Sequence, residues 1–278
     1  MQAELAPLSL EATPAVAPVV VAAAWAASVA AVGWVAVRWA RGRPVPAAGA
    51  IPDTPWGGTD VATVLAGYVA LSCAAFTVLP AGAGLDRQLV AGIATNLATT
   101  LGGIALLRGR GATWRDLGFS GSNRAVAPAV VGLVVVLAPL LSLAALLDAV
   151  VPYRHPLVDF LATRRDATGI GLAVVAAVVV APIAEEFFFR RMLQGWLERR
   201  VPPGDEATAI VASAAAFGLA HTGQGLAWLP LVLFGIVLGW LARRTGSILP
   251  CILLHAAFNA VSVTLLIVAN RPGPPGAG

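Results

Sequence analysis

The sequence contains no lysine: all 18 basic residues are arginine. Only 12% of the 278 residues are charged, against about 25% in a soluble globular domain, which excludes an ordinary soluble domain. Cysteine is nearly absent too. Cys73 and Cys251 both sit in apolar runs, far apart and without metal-ligand spacing. That excludes a disulfide framework and a cysteine zinc site, and both thiols read as small buried hydrophobes. The opening MQAELAPLSLEATP carries Glu4 and Glu11 and no positive n-region, so no cleavable signal peptide is expected. There is no fixed-period repeat and no second, soluble domain. Nor is there a pair of matching halves with broken helices, the mark of many carriers. The net charge of +4 does not indicate a nucleic-acid partner. The arginines cluster at the ends of apolar segments, where they orient a membrane protein.

What fills the chain is apolar. Hydrophobic residues make up 58% of it, in several runs of about 20 residues, the length that spans a bilayer as a helix. Eight spans are predicted: Val16–Val37, Val61–Leu79, Leu89–Leu107, Ala125–Val151, one from Gly169 to about Arg200, one from Ala207 to His221, Leu226–Ala242 and Ile248–Val268. The fold class is therefore all-α, a polytopic membrane helix bundle of about eight transmembrane helices, with the bilayer itself as a partner. Residues 1–15 form an N-terminal tail, 16–168 hold helices 1–4 with their loops, 169–270 form a transmembrane core, and 271–278 form a disordered tail. The stretch RPVPAAGAIPDTPWGGTD between the first two spans is loop by composition. With the N-terminus outside, thirteen arginines fall in inside loops and five outside, so both termini are predicted to be extracytoplasmic. Arginine without lysine, amid abundant alanine, valine and glycine, fits a GC-rich bacterial genome and hence a multi-pass protein of the bacterial inner membrane.

Against this background the stretch Ala184–Arg191, AEEFFFRR, stands out. An ionisable group in a bilayer costs at least roughly 2.5–3.5 kcal/mol and is a functional hypothesis by default. Glu185 and Glu186 are two in a row. Glu186 and Arg190 are four apart with the acid first, the favourable order for a helical ion pair. Glu185 points about 100° away. The spacing assigns Glu186 and Arg190 to a scaffold and Glu185 to reactivity. Pro182 just upstream is expected to kink the helix, with neighbouring groups re-satisfying the freed carbonyl.

Two of the three histidines also lie in apolar runs. His221 follows Phe217 by four residues, so the phenyl ring packs on the imidazole from one turn below. His255 and Asn259, again four apart, share one helix face. A glutamate, two histidines and an asparagine suit hydrolysis: a general base for water and donors for an oxyanion. The same Glu185, His221 and His255 are alternatively ligands for Zn²⁺, which would lower the pKa of a bound water. A proton pathway or transporter also uses such groups. Glu185 and His255 fall roughly 6 and 10 Å from the inner face by helical rise, and His221 about 21 Å in unless its helix starts outside the core.

The three motifs, Glu185-Glu186-FFF-Arg190, Phe217-GLA-His221 and His255-AAF-Asn259, resemble those of the CPBP family of type II CAAX prenyl proteases and bacteriocin-processing enzymes. The resemblance runs from about Gly169 to Asn259. It implies an intramembrane endopeptidase opening toward the cytosol, in which Glu185 and His221 activate water while His255 and Asn259 hold the oxyanion. The implied substrate is a peptide or protein, lipidated or bacteriocin-like. A non-catalytic bacteriocin-immunity scaffold is the other role the resemblance leaves open. Arg191 stands where many members carry glycine, a departure expected to leave the chemistry untouched.

Overall fold

The computed structural model describes residues 16–80, 83–120, 125–153, 156–164 and 166–269. The expected tails 1–15 and 271–278 lie outside the described residues, as do Arg124, Arg154 and Arg165. Nine helices are described: α1 (Val16–Ala40), α2 (Gly58–Val78), α3 (Leu85–Gly109), α4 (Val126–Asp148), the short α5 (Pro156–Thr163), α6 (Ala167–Glu198), α7 (Glu206–Leu219), α8 (Trp228–Thr245) and α9 (Leu249–Ala269). No strand occurs among the described residues.

Seven of these helices are long and apolar enough to cross a membrane, where eight were expected. The difference is α7, whose 14 residues span about 21 Å at 1.5 Å per residue, short of a core about 30 Å thick. α7 packs along α8 as a hairpin. The turn between them reaches far enough that a Cβ on Gly225 would come 2.9 Å from the Pro152 carbonyl, and Gly225 also needs its φ of 67°. Glycine is required there on both counts.

Successive helices alternate direction, so the loops gather at two ends. One end is rich in arginine. Arg110 pairs with Asp60 at 3.1 Å, and Arg243 with Glu206 at 2.9 Å and Glu198 at 3.7 Å. The other end holds Arg164, which bonds Asp86 at 2.6 Å and Asp166 at 2.8 Å. Asp166 also caps α6 by accepting from the Gly169 N–H at 3.0 Å, which is why the long helix begins there.

The linker between α1 and α2, read from composition as a loop, is an ordered strap across the arginine-rich end. Arginines of the later helices, Arg191 among them buried, hold its carbonyls. Arg191 donates to Asp53 O and to Asp116 O and stacks on Trp56, with its guanidinium 4.6 Å from the ring centroid. Arg199 donates to Thr54 O, and Arg244 to Pro46 O at 3.2 Å. Trp56 donates its indole N–H to Met192 O at 3.1 Å. α8 ends at Gly246, φ 66°, directly beneath the strap, where any Cβ would collide with Ala50 O. A glycine after the last helical turn accepts the left-handed backbone that stops the helix.

α6 runs 32 residues and is wider than an α-helix in two places, Val175–Val180 and Glu186–Leu193, which are π-helical. Pro182 lies between them. A proline inside a helix removes one donor and crowds the preceding turn, and a π-turn is one way to relieve that crowding.

Candidate active site

The second π-turn sets the register of the acidic pair. Glu186 faces the protein interior and is fully buried. Its Oε2 accepts from Arg190 Nε at 3.0 Å, the pair expected from the spacing, and its Oε1 accepts from His255 Nδ1 at 2.8 Å. Arg190 is also buried, with its guanidinium 4.7 Å over the Phe217 ring. A negatively charged ring face is the electrostatic partner for the part of the cation the carboxylate does not reach. Glu185 points elsewhere, is about a quarter exposed, and brings Oε2 to 3.8 Å from His255 Nε2. His255, contributed by α9, thus lies between the two glutamates.

His221 lies in the turn two residues after α7. The Nδ1–H of its ring donates to Phe217 O at 2.8 Å. A carbonyl only accepts, so Nδ1 carries the proton and Nε2 keeps its lone pair. Phe217 packs against His221 edge-on at 5.1 Å, as the spacing predicted, and also against His255 at 5.9 Å and Phe189 at 5.3 Å. One ring therefore fixes three polar side chains. Phe234 of α8 packs on the other edge of His255 at 5.5 Å.

Glu185 and His221 line the same cavity, about 210 Å³ in volume. Val64, Leu65 and Tyr68 of α2 and Asn96, Thr99 and Thr100 of α3 form its opposite wall, with Phe187, Phe188 and Phe189 between. The sequence reading assigned nothing to α2 or α3. The one local signal was the GG pair at Gly102–Gly103: a Cβ on Gly103 would come 3.0 Å from the Phe187 ring, so α3 is held close to α6. Asn259 takes no part in that wall. Its amide donates to Ala177 O at 2.8 Å.

No group of three His, Cys, Asp or Glu among the described residues is arranged to hold a metal ion. His255 Nδ1 is engaged by Glu186, His221 Nδ1 by a carbonyl. Each histidine thereby keeps Nε2 as its free ring nitrogen, the orientation in which an acceptor behind the ring holds an imidazole whether it faces a water or a metal ion.

One comparison with known proteins bears on this geometry. Residues 168–261 match the family model described as type II CAAX prenyl endopeptidase Rce1-like. The matched third of the chain starts in α6 and ends in α9, so it contains all seven named side chains of the three motifs. The matched segment supplies both glutamates, both histidines and the Phe217 ring; α2 and α3 supply the opposite wall of the cavity. No curated protein and no solved structure matches the chain.

Proposed function

We propose that this multi-pass membrane protein is an intramembrane endopeptidase of the CAAX type, cleaving a peptide bond in the cavity shared by Glu185 and His221. That shared cavity, with His255 poised 3.8 Å from Glu185, is the observation that carries the reading. A water held between Glu185 and His221 Nε2 loses a proton to Glu185 and attacks the substrate carbonyl carbon. The C=O π pair moves onto oxygen. Glu185 then returns the proton to the departing amine as the C–N bond breaks. General-base assistance of this kind contributes about 10²–10⁴-fold. Glu186, ion-paired to Arg190, presents an anionic acceptor to His255 Nδ1–H. That bond fixes the ring so that an N–H at Nε2 would point to the oxyanion.

The arginine-rich end is the cytoplasmic one in this reading. His255 is the seventh residue of α9, roughly 9–10 Å below that end, so the bond cut lies near the cytoplasmic face of a bacterial inner membrane. The cavity is flanked by three consecutive phenylalanines, Leu65 and Tyr68, which suits a substrate with an apolar or lipidated segment beside the scissile bond. Bacteriocin-like peptides share that character.

The test is purified protein in lipid nanodiscs with a peptide library, lipidated and unlipidated, read by product mass. Cleavage at one bond, lost in Glu185→Gln and retained in the presence of a chelator, is the expected result. No cleavage of any member, or full cleavage by Glu185→Gln, would overturn the proposal. A transporter or immunity scaffold would give no cleavage at all.

A further inference from the structure

The first π-turn of α6 leaves one carbonyl without its helical partner, and Asn259 reaches it. In Val175–Val180 the ladder steps by five: the Ala181 N–H bonds Ala176 O. The next rung would run from residue 182 to Ala177 O. Residue 182 is proline and has no N–H. In low dielectric an unsatisfied carbonyl costs free energy comparable to a lost hydrogen bond. Asn259 Nδ2 donates to Ala177 O at 2.8 Å, in place of the missing rung. Asn259 lies on α9 one turn after His255, and Ala177 lies on α6 two turns before Glu185. The bond therefore ties the helix bearing His255 to the helix bearing both glutamates. Along α9 it sits one turn from the 2.8 Å and 3.8 Å approaches of His255 to Glu186 and Glu185.

We infer that Asn259 is a positioning residue coupled to Pro182: it replaces the hydrogen bond that the proline removes, and so sets the height of His255 against Glu185 and Glu186. This deepens the endopeptidase reading and departs from the oxyanion role the resemblance implies for Asn259. Pro182 and Asn259, 77 positions apart in sequence, form one unit, because either the proline is present and the amide is needed, or neither is.

A double-variant cycle tests this. Asn259→Leu, similar in volume but without a donor, should lower the melting temperature and reduce kcat about tenfold or more. Pro182→Ala should behave like the unaltered protein. In Pro182→Ala/Asn259→Leu, the restored N–H of residue 182 bonds Ala177 O, and both melting temperature and kcat should return to near the Pro182→Ala values. If Asn259→Leu alone cannot be purified, recovery of folded, monodisperse protein in the double variant is the same result. The inference is overturned if the double variant regains its melting temperature but stays at least a hundredfold down in kcat, as loss of an oxyanion donor would give. It is overturned equally if Pro182→Ala restores neither quantity, or if Asn259→Leu alone changes neither. Glu185→Gln run in parallel separates the two claims. Should Glu185→Gln cleave normally, the endopeptidase reading fails, while the melting cycle still decides whether proline and asparagine are coupled.

Discussion

α1 and α6 have similar mean hydropathy, 2.0 and 2.3, yet of their most apolar 18 residues 6% are buried in α1 and 28% in α6. In α1, Val19, Val20, Val29 and Val32 are all exposed, and the only buried polar side chain is Ser28, which donates to Val134 O at 2.7 Å. In α6 the buried set includes Glu186, Arg190, Arg191 and Gln194. Hydropathy reports that a helix belongs in a bilayer and says nothing about which face meets protein. Where both solvents are apolar, it is the polar residues that must be turned inward and paired. α1 can therefore face lipid over most of its surface, while the C-terminal part of α6 is fixed by the demands of four buried polar residues.

The largest effect should separate the two helices sharply. Glu186→Gln removes one partner of a fully buried pair and leaves Arg190 uncompensated, a cost of about 3–5 kcal/mol. Thermal melts in detergent would read it, and an unchanged melting temperature would mean that Arg190 finds another partner. Next is Arg191→Leu, which releases the strap at Asp53 O and also the α3–α4 loop at Asp116 O. Hydrogen bonds to a charged group are worth about 1.5–3 kcal/mol each. The readout is faster proteolytic cleavage within residues 44–57, with the strap's cleavage rate unaltered as the contrary result. The arginine makes no contact with Glu185 or His221, but it is a structural anchor for a segment far away in sequence.

The smallest effect belongs to α1. Ser28→Val removes a single hydroxyl donor between two membrane helices, where such bonds average about 0.6 kcal/mol. A shift in melting temperature as large as that of Glu186→Gln would erase the contrast between the two halves.

The sequence was most legible where partners are one helical turn apart. Glu186 with Arg190 and Phe217 with His221 follow from i,i+4 geometry, and both contacts are present. The arginine distribution was legible for the same reason that hydropathy was, since both act on whole segments: Arg87 and Arg164 lie at one end, and the described loop arginines of the inside set at the other. Partners set by tertiary packing were not legible. His255 meets Glu186 across 69 positions, and only the packing of α9 on α6 fixes that distance. The Asn259 bond depends on a π-turn, which has no pattern of its own; Pro182 marked the freed carbonyl but not the group that would fill it. α7 was read as a full span because apolarity was counted and length was not. The strap was read as loop because proline and glycine deny it secondary structure, whereas its order comes from arginines donating to its carbonyls.

The division between the two adjacent glutamates is the centre of the account, and one paired measurement addresses it: cleavage rate and melting temperature of Glu185→Gln and Glu186→Gln, side by side in the same nanodiscs. Glu185, partly exposed in the cavity with no cation among the described residues within salt-bridge distance other than a protonated His255, should tolerate the change in stability while cleavage falls about 10²–10⁴-fold. Glu186→Gln should lose several kcal/mol of stability. Glu185→Gln cleaving at the unaltered rate, or melting as early as Glu186→Gln, would contradict it.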